Sequence, residues 1–586
     1  MKFDDILQQQ VGELGRHQKI LVLMLSMVMC SAGVQIMITV FTLHAPNYRC
    51  ADPAVDNDSY TGPGPDSSVQ RELSQGHGTT VQYKLSECYI DYAGLRNHDG
   101  SPKNLSEFDK DWLPHNDKWL LDDSASGSNF STRAECRQWV YDQSVFASTM
   151  STQMNFVCDR KILSSHAVMF LMVGQMIGAV FGGSAADFVG RKKLMMIMLL
   201  VHFVVSVLTT WVTDIYTLGT VYLLNGLAIA SAYCAAFTLT LELVGPRWRH
   251  VVGIFITSTW SFGILYVGML SFFIREWHLL QLAASLPAAF FVFFLWWSEA
   301  EISSVKFSCL DVSTPPWTRW LARKGRYSEA EKILEHIARR NGNKLAAKID
   351  LGNDVIEESQ QSQSLVMFLR CPPLLVRLIV VLFNWFACSL TYYGLSLNVG
   401  HLFGNIHLNF CLSGIFELIG FAMVVLLLSR VGRKKIYCYS LIVGGMGCLL
   451  TVIPVLIGGE WSVHGVRALA MTGKFGIASA FAILWLYTPE MFPTSLRAGV
   501  TGASSCSARL GGVAASYLAN LTLKGNVGHL LPQIIFGTLG LMAGLCALTL
   551  PETNQVRLPD SMDDAVQMKK HVLEQDKKDN QESLLT

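Results

Sequence analysis

Three ionisable residues stand inside long apolar stretches of this 586-residue sequence, at Glu417, Lys474 and Arg509. A charged side chain in hydrocarbon is costly and marks a functional position by default. One carboxylate and two cationic groups supply the chemistry to hold both ends of a small zwitterion. Two alternatives stay open. In the first, Arg509 forms an ion pair with Glu417 or with a group on another apolar segment. In the second, Lys474 extends its ammonium group to the membrane surface.

Aromatic side chains in the same stretches are candidates for the walls of such a site, because aromatic rings attract onium groups through their quadrupole. For each ring the alternative is packing against another segment or lipid. Phe237, Trp385 and Trp485 are secondary candidates. The predicted substrate-binding set is Trp260, Tyr392, Tyr393, Glu417, Lys474 and Arg509.

Catalytic and metal chemistry find no support in the sequence. No Walker A, HExxH, GxSxG or dinucleotide-binding pattern stands in a plausible context. The fourteen cysteines form no CxxC pair, which argues against a zinc or redox centre. A net charge of +1 without a basic stripe argues against nucleic-acid binding. We therefore expect no enzymatic activity, no cofactor and no metal. The scattered histidines are expected to have packing or loop roles.

The elements that position these residues are apolar helices. Hydrophobic residues make up 51% of the chain and charged residues 16%, against about 25% charged residues in a soluble domain. A transmembrane helix needs about 20 mostly apolar residues, and segments of this kind begin near residues 20, 163, 194, 216, 250, 279, 374, 405, 436, 463, 499 and 527. The predicted fold class is an all-α membrane protein with twelve transmembrane helices in contact with lipid.

Polar segments and basic loops predict the topology. The short loops after the second, fourth, eighth and tenth helices carry Lys and Arg, which places them and both termini in the cytoplasm. The start of the chain, "MKFDDILQQQVGELGRHQKI", does not have the pattern of a cleavable signal peptide. We predict a cytosolic N-terminus (1–19), an N-terminal six-helix bundle (20–297) with an extracellular segment (43–162), a cytosolic loop (298–373), a C-terminal six-helix bundle (374–550) and a cytosolic tail (551–586).

The extracellular segment has the features of an oxidising compartment. It holds Cys50, Cys88, Cys136 and Cys158, an even set that predicts two disulfides with three possible pairings. N-glycosylation sequons cluster at Asn57, Asn104 and Asn129. A further sequon at Asn520 lies too close to a membrane end to be counted among them.

Three markers occur twice, in the same order, at offsets of roughly 250 residues. The string "SAADFVGRKK" ends at Lys193 and "LLSRVGRKK" ends at Lys435. "ELVGPRWR" corresponds to "EMFPTSLR", and "SEA" after the sixth helix corresponds to "PET" after the twelfth. The repeat indicates two pseudo-symmetric six-helix halves. Halves of this kind hold a substrate site at their interface and alternate its access between the two sides of the membrane.

The markers also supply charges and glycines for a gate at the cytoplasmic ends. Arg191 is placed to pair with a carboxylate such as Glu242, and the alternative reading is that the basic residues only fix topology. The second cassette has Val425 and Ser429 where the first has a glycine and Asp187, so we expect the latch chiefly in the first copy. The predicted gating set is Gly183, Asp187, Gly190, Arg191, Glu242, Arg249, Arg433, Glu490 and Arg497.

Several strings resemble the major facilitator superfamily and, within it, the organic cation, organic anion and carnitine carriers of solute carrier family 22. They include "WVYDQSVFASTM", "GPRWR", "EWHLLQLAASLP", "GRYSEAEKIL", "TYYGLSLN", "KFGIASAF", "PEMFPTSLR" and "LPET", and they cover nearly the whole chain. The resemblance implies transport of small organic ions across the plasma membrane. It also matches Tyr392 and Tyr393 to a cavity-lining tyrosine. Arg509 stands where cation carriers have Asp and where anion and carnitine carriers often have Arg.

The chain departs from the family pattern at Tyr222 and Ser429, where the family has Arg and Asp, at Ile419, where it has Pro, and at a rewritten junction, 301–317. The expected function is alternating-access transport of organic cations or carnitine-like zwitterions, with sodium or a proton as a possible coupling ion. The alternatives are an organic anion exchanger and a transport-impaired relative that acts as a receptor or scaffold.

Overall fold

The computed structural model describes residues 14–51, 60, 68–73, 79–85, 87–93, 131–245, 247–300, 338–339, 341, 371–401, 404–493, 496–520, 530–554, 559 and 562–568. The chain divides into two compact units. The helical unit comprises Met1–Phe41, Ser165–Ile274 and His278–Thr586, and the cysteine-rich unit comprises Thr42–Ser164 and Arg275–Trp277.

Each apolar segment predicted from the sequence contains one long helix. In the first half these helices are α1 (Arg16–Met37, continued by Thr39–Thr42), α2 (Ile162–Val189), α3 (Arg191–Leu208), α4 (Ile215–Leu243), α5 (Arg249–Phe273) and α6 (Trp277–Ala300). In the second half they are α7 (Pro372–Leu397), α8 (Ile406–Val431), α9 (Arg433–Leu450, continued by Val452–Ile457), α10 (Glu460–Glu490), α11 (Arg497–Ala519) and α12 (Leu531–Ala547).

Nine of the described helices are long and apolar enough to cross a membrane, α1–α5 and α7–α10. The shorter α12 is also apolar. Gly, Ala and Ser are frequent in α11, which lowers its hydropathy, and this helix packs along α7. Helix α5 of the first half packs against α8 of the second half, so the two halves share an interface.

The repeated cassette forms the same corner in both halves. Gly190 joins α2 to α3 with φ 101°, and Gly432 joins α8 to α9 with φ 95°. Residues with a side chain rarely adopt this left-handed backbone region, which explains a glycine at both corners. We call the helix ends that adjoin Gly190 and Gly432 the basic end of the helical unit, and the opposite ends the outer end.

Close approach between α2 and α4 depends on the first of the two adjacent glycines in the first cassette, Gly182. A Cβ atom on Gly182 would lie 2.9 Å from the Cα of Ser231 on α4. A Cβ on Gly183 would meet no atom within 4 Å among the described residues. The small-residue contact therefore involves Gly182. Gly183, the next residue along α2, faces about 100° away from Gly182, and its predicted part in the gate stays a prediction.

The cysteine-rich unit contains β-strands, so the all-α prediction holds for the spanning segments and not for this unit. Strand β1 (Tyr48–Cys50) pairs antiparallel with β6 (Trp139–Tyr141). Strands β2 (Ser68–Leu73), β3 (Thr79–Leu85), β4 (Tyr89–Ala93) and β5 (Ser131–Glu135) form an antiparallel sheet in that order. Of the three disulfide pairings left open by the sequence, the structure has Cys50–Cys136 and Cys88–Cys158. The three clustered sequons, Asn57, Asn104 and Asn129, lie outside the described residues.

Candidate functional site

A cavity of about 360 Å³ lies between the two halves of the helical unit. It reaches the basic end at Arg497 and extends to mid-helix residues such as Tyr233 of α4 and Met29 of α1. A narrower part of about 60 Å³ continues from there toward Trp260 and Glu417. The walls of this narrower part are Met29, Tyr233, Thr257, Trp260, Tyr392, Tyr393, Glu417, Phe421, Ala478, Phe481, Ala482, Trp485 and Arg509.

Glu417 and Lys474 form a buried ion pair at the narrow end of the cavity. Oε2 of Glu417 on α8 lies 3.3 Å from Nζ of Lys474 on α10, and both residues are at least 98% buried. Lys474 also donates to Oγ of Ser396 at 2.7 Å, and its ammonium group lies 3.3 Å from the ring centroid of Tyr392. The membrane-surface alternative for Lys474 is therefore wrong. Its side chain turns inward, because Glu417 and Tyr392 face it from α8 and α7.

Tyr392 connects this ion pair to the other half of the helical unit. Its hydroxyl group donates to the Glu417 carboxylate, with both oxygens 3.0 Å away. The same hydroxyl oxygen accepts a hydrogen bond of 2.8 Å from Nε1 of Trp260 on α5. Because α5 belongs to the first half and α7 and α8 to the second, an occupant of this part of the cavity contacts both halves.

Arg509 also lines the narrow part of the cavity, between two tyrosines. Its Nη2 donates to the hydroxyl of Tyr233 on α4, and its Nη1 lies 3.4 Å from the hydroxyl of Tyr393 on α7. Within the described part of the chain, no ion pair involves Arg509, and its buried Nε has no hydrogen-bond partner. The predicted alternative of an Arg509–Glu417 pair is therefore not formed, because Lys474 takes that place beside Glu417.

All six residues of the predicted substrate-binding set lie in or next to the narrow part of the cavity. Of the secondary aromatic candidates, Phe237 and Trp485 line the wider part. Trp385 is fully buried and donates to Oγ1 of Thr488 at 2.8 Å, which fits a packing role. Sequence reasoning missed Tyr233, although it stands one helical turn before the candidate Phe237.

Opposite charges meet at the basic end of both halves. Arg191 pairs with Glu242 in the first half. In the second half, Nε of Arg433 lies 2.7 Å from Oε2 of Glu490. The latch was expected chiefly in the first copy, but the second copy also forms its ion pair. The expectation is corrected because the second pair depends on Arg433 and Glu490, and not on the positions at which the two cassettes differ.

The two other arginines of the predicted gating set, Arg249 and Arg497, contact backbone carbonyl groups that precede them in the chain. Nε of Arg249 lies 3.3 Å from the Leu241 carbonyl oxygen, and Nε of Arg497 lies 3.0 Å from that of Phe492. Glu552, from the third repeated marker, accepts hydrogen bonds from the first two backbone N–H groups of α9, at 3.0 and 3.2 Å. The side chain of Asp187 lies outside the described part of the structure, as do Ser429's side chain and the 301–317 junction.

Comparison with known proteins identifies relatives along the whole chain. The family "Sugar (and other) transporter" matches residues 135–561. The organic cation transporter protein of Drosophila melanogaster is 29% identical, with 96% of this chain and 94% of that protein covered. Solute carrier family 22 member 1 of Bos taurus is 30% identical, with 96% and 92% covered.

The structural comparison concerns the fold. The inward-open xylose transporter XylE from E. coli has a TM-score of 0.53 at 16% identity, with 71% of this chain and 91% of that chain covered. At this identity the likeness shows the fold alone. It confirms the predicted arrangement of transmembrane helices in two six-helix halves.

Proposed function

Since this chain belongs to the sugar (and other) transporter family and to solute carrier family 22, we propose that it carries small organic ions across the plasma membrane by alternating access. It is a multi-pass membrane transporter and not an enzyme. In the proposed topology both termini and the basic end are cytoplasmic, because Lys and Arg collect in the short loops of that end. The cysteine-rich unit is then extracellular, where disulfides persist.

The charge inside the cavity carries the proposal about the substrate. Glu417 is neutralised by Lys474 at 3.3 Å, whereas the described hydrogen bonds of Arg509 go to two neutral tyrosines. The three ionisable groups therefore sum to one positive charge. A buried guanidinium group with a free Nε favours a ligand that brings a carboxylate.

The aromatic wall favours a second group on the same substrate. Trp260, Phe481 and Trp485 line the narrow part of the cavity together with Tyr392 and Tyr393. Such faces attract quaternary ammonium groups. A zwitterion of the carnitine type uses both features, with its carboxylate at Arg509 and its onium group against the rings. The wider part of the cavity, at about 360 Å³, lies at the lower end of the range for small-molecule sites, and it adjoins the part of about 60 Å³ that Arg509 and these rings line.

The contacts between the halves support an inward-facing state of an alternating-access cycle. At the outer end, Ser271 of α5 lies 2.8 Å from Nδ1 of His407 on α8. At the same end, Nδ2 of Asn520, the residue that follows α11, donates to Oγ of Ser165 on α2 at 2.7 Å. The cavity, in contrast, extends to the basic end at Arg497. We infer that the outer end is closed in this conformation and that these contacts separate when it opens.

An organic anion exchanger is the second candidate, favoured by the same net positive charge around Arg509. Uptake of labelled carnitine, para-aminohippurate and tetraethylammonium by cells expressing the protein separates the candidates. Carnitine uptake above that of the other two supports the zwitterion proposal, and para-aminohippurate uptake alone supports the anion exchanger. Repeating the uptake with and without a sodium gradient tests sodium coupling.

Surface biotinylation provides the control for this experiment by showing that the protein reaches the plasma membrane. No uptake of any of the three compounds by protein at the cell surface counts against both carriers and favours a receptor or scaffold. Preferred uptake of tetraethylammonium contradicts the inferred preference for a carboxylate.

A further inference from the structure

One face of α11 presents polar side chains to the cavity at a spacing of four residues. Arg497, Thr501 and Ser505 line the wider part of the cavity, and Arg509 lines the narrow part. Residues four apart lie on the same face of a helix, and each interval rises by about 6 Å. The stripe therefore runs for about 18 Å along α11, from the basic end to the substrate site.

The two hydroxyl groups of this stripe are not bonded to their own helix. Ser and Thr side chains in a helix often donate to a carbonyl oxygen of the preceding turn. Thr238, which lines the same part of the cavity from α4, donates in this way to the Cys234 carbonyl at 2.8 Å. In the described part of the chain, neither Thr501 nor Ser505 has a hydrogen-bond partner, although Ser505 is only 6% exposed. Both hydroxyl groups are therefore available to a molecule in the cavity.

Guanidinium groups stand at the two ends of the stripe. Arg509 is only 6% exposed, and its Nε has no hydrogen-bond partner among the described residues. Arg497 is fixed at the mouth of the cavity, where its Nε and Nη2 lie 3.0 and 3.3 Å from the carbonyl oxygens of Phe492 and Pro559. The two hydroxyl donors thus lie between two cationic groups.

We propose that Thr501 and Ser505 form a carboxylate track, along which the carboxylate of a substrate passes between Arg509 and the mouth of the cavity. A carboxylate has two oxygens, so it can keep one hydrogen bond while it forms the next across a step of about 6 Å. Without these donors it leaves the guanidinium group before it meets another protein partner, which raises the barrier to release. The inference rests on the proposed function for the identity of the substrate. It makes Thr501 and Ser505 positioning residues for release and rebinding.

The test removes the two hydroxyl groups and separates rates from affinity. Thr501→Val and Ser505→Ala are combined in one variant, and a second variant, Thr501→Ser with Ser505→Thr, keeps both hydroxyl groups. Thr238→Val is the matched control, because its hydroxyl group is bonded to its own helix. Labelled carnitine and para-aminohippurate are bound to the purified proteins. Equilibrium binding is measured first, and dissociation is then followed after rapid dilution.

We expect association and dissociation to slow by at least about tenfold in the variant without hydroxyl groups, with a Kd that changes by less than about threefold. The conservative variant and the control should match wild type. Unchanged rates in the folded variant overturn the proposal. A Kd that rises while the association rate stays the same also overturns it, because the hydroxyl groups then belong to the binding site itself.

A second measurement needs no transported substrate. Ser505→Cys and Thr238→Cys are prepared separately in a Cys234→Ser background. Each is labelled in inside-out vesicles with a negatively charged and with a positively charged methanethiosulfonate reagent, and mass spectrometry measures the labelling of each position. A carboxylate track predicts an anion-to-cation rate ratio at least about fivefold higher for Ser505→Cys than for Thr238→Cys. Equal ratios at the two positions overturn it.

The two proposals fail separately. Wild type that neither binds nor transports the labelled compounds sinks the proposed function. The ratio of labelling rates still decides in that case whether this face of α11 conducts anions.

Discussion

The indole Nε1 of Trp260 donates a 2.8 Å hydrogen bond to the hydroxyl group of Tyr392, across the interface between the two six-helix halves. Trp260 lies on α5 and Tyr392 on α7, and the same hydroxyl contacts the Glu417 carboxylate. The link therefore joins the first half of the helical unit to the charged end of its cavity. An ion that changes the position of Tyr392 or Glu417 changes this connection between the halves.

Trp260→Phe should weaken the inward-facing state, because it removes the N–H donor and keeps an aromatic ring. A hydrogen bond of this kind contributes about 1 kcal/mol, which is roughly a fivefold change in a conformational equilibrium. Cys234 lines the cavity and reports on this state. We expect slower labelling of Cys234 by a membrane-impermeant maleimide in inside-out vesicles, measured by mass spectrometry.

The matched control for this prediction is Trp461→Phe, since Trp461 is 85% exposed and lies at the outer end of α10. Its labelling rate at Cys234 should equal that of wild type. Equal rates in wild type and Trp260→Phe would show that the Trp260–Tyr392 hydrogen bond does not hold the halves in this state.

Arg509→Ala should weaken the binding of a carboxylate-bearing substrate, because it leaves the cavity without its uncompensated positive charge. Hydrogen bonds to a charged group contribute about 1.5–3 kcal/mol, so the affinity should fall by at least tenfold. Arg509→Lys keeps the charge but loses the fork between Tyr233 and Tyr393, and an intermediate affinity is expected. Competition against labelled carnitine or para-aminohippurate measures both. Unchanged kinetics in Arg509→Ala would place this residue outside the binding site.

The ion pairs at the basic end should depend on complementary charge and not on one particular residue. Glu490→Arg places two cations together and should reduce uptake and lower the melting temperature. The double variant Glu490→Arg, Arg433→Glu restores opposite charges and should recover part of both. The corresponding Glu242 and Arg191 exchange in the first half provides the comparison. If Glu490→Arg and the corresponding Glu242→Arg both match wild type in uptake and stability, these ion pairs fix topology only.

The helical architecture could be predicted from the sequence, because each helix corresponds to its own apolar segment. Twelve apolar segments predict the spans, and three markers that each occur twice predict the two halves. Neither prediction needs any knowledge of how the helices contact each other. The corner glycines are also local, since φ 101° at Gly190 and 95° at Gly432 are properties of single residues. Features of this kind do not depend on helix rotation.

The partners within the site were not accessible, because they depend on how each helix is rotated toward its neighbours. The sequence offered Arg509 as a partner for the carboxylate of Glu417, and it placed Lys474 either in the site or at the membrane surface. The sequence gives their depth along the helices but not their direction. Only the folded structure shows that Lys474 of α10 pairs with Glu417 of α8 and that Arg509 of α11 turns to Tyr233 of α4. Neutral partners such as Tyr233 carry no charge signal and were missed for that reason.

Asn520 should carry no glycan, although it stands in a sequon. Its Nδ2, the atom to which a glycan would be attached, donates to Oγ of Ser165 on the other half at 2.7 Å. Asn520→Gln should therefore alter transport without a change in glycosylated mass. Glycopeptide mapping should find glycans only among Asn57, Asn104 and Asn129. A glycan on Asn520 would contradict its role in closing the outer end.

The disulfide pairs of the cysteine-rich unit should be Cys50–Cys136 and Cys88–Cys158. They close segments of 86 and 70 residues, and each is expected to stabilise the unit by about 4 kcal/mol through the lost entropy of the unfolded chain. Mass spectrometry of non-reduced peptides reads the pairing directly. The double variant Cys50→Ser, Cys136→Ser should destabilise the unit no more than either single variant, because each of the three lacks the same bond. A peptide that links Cys50 to Cys88 or Cys158 would contradict this arrangement.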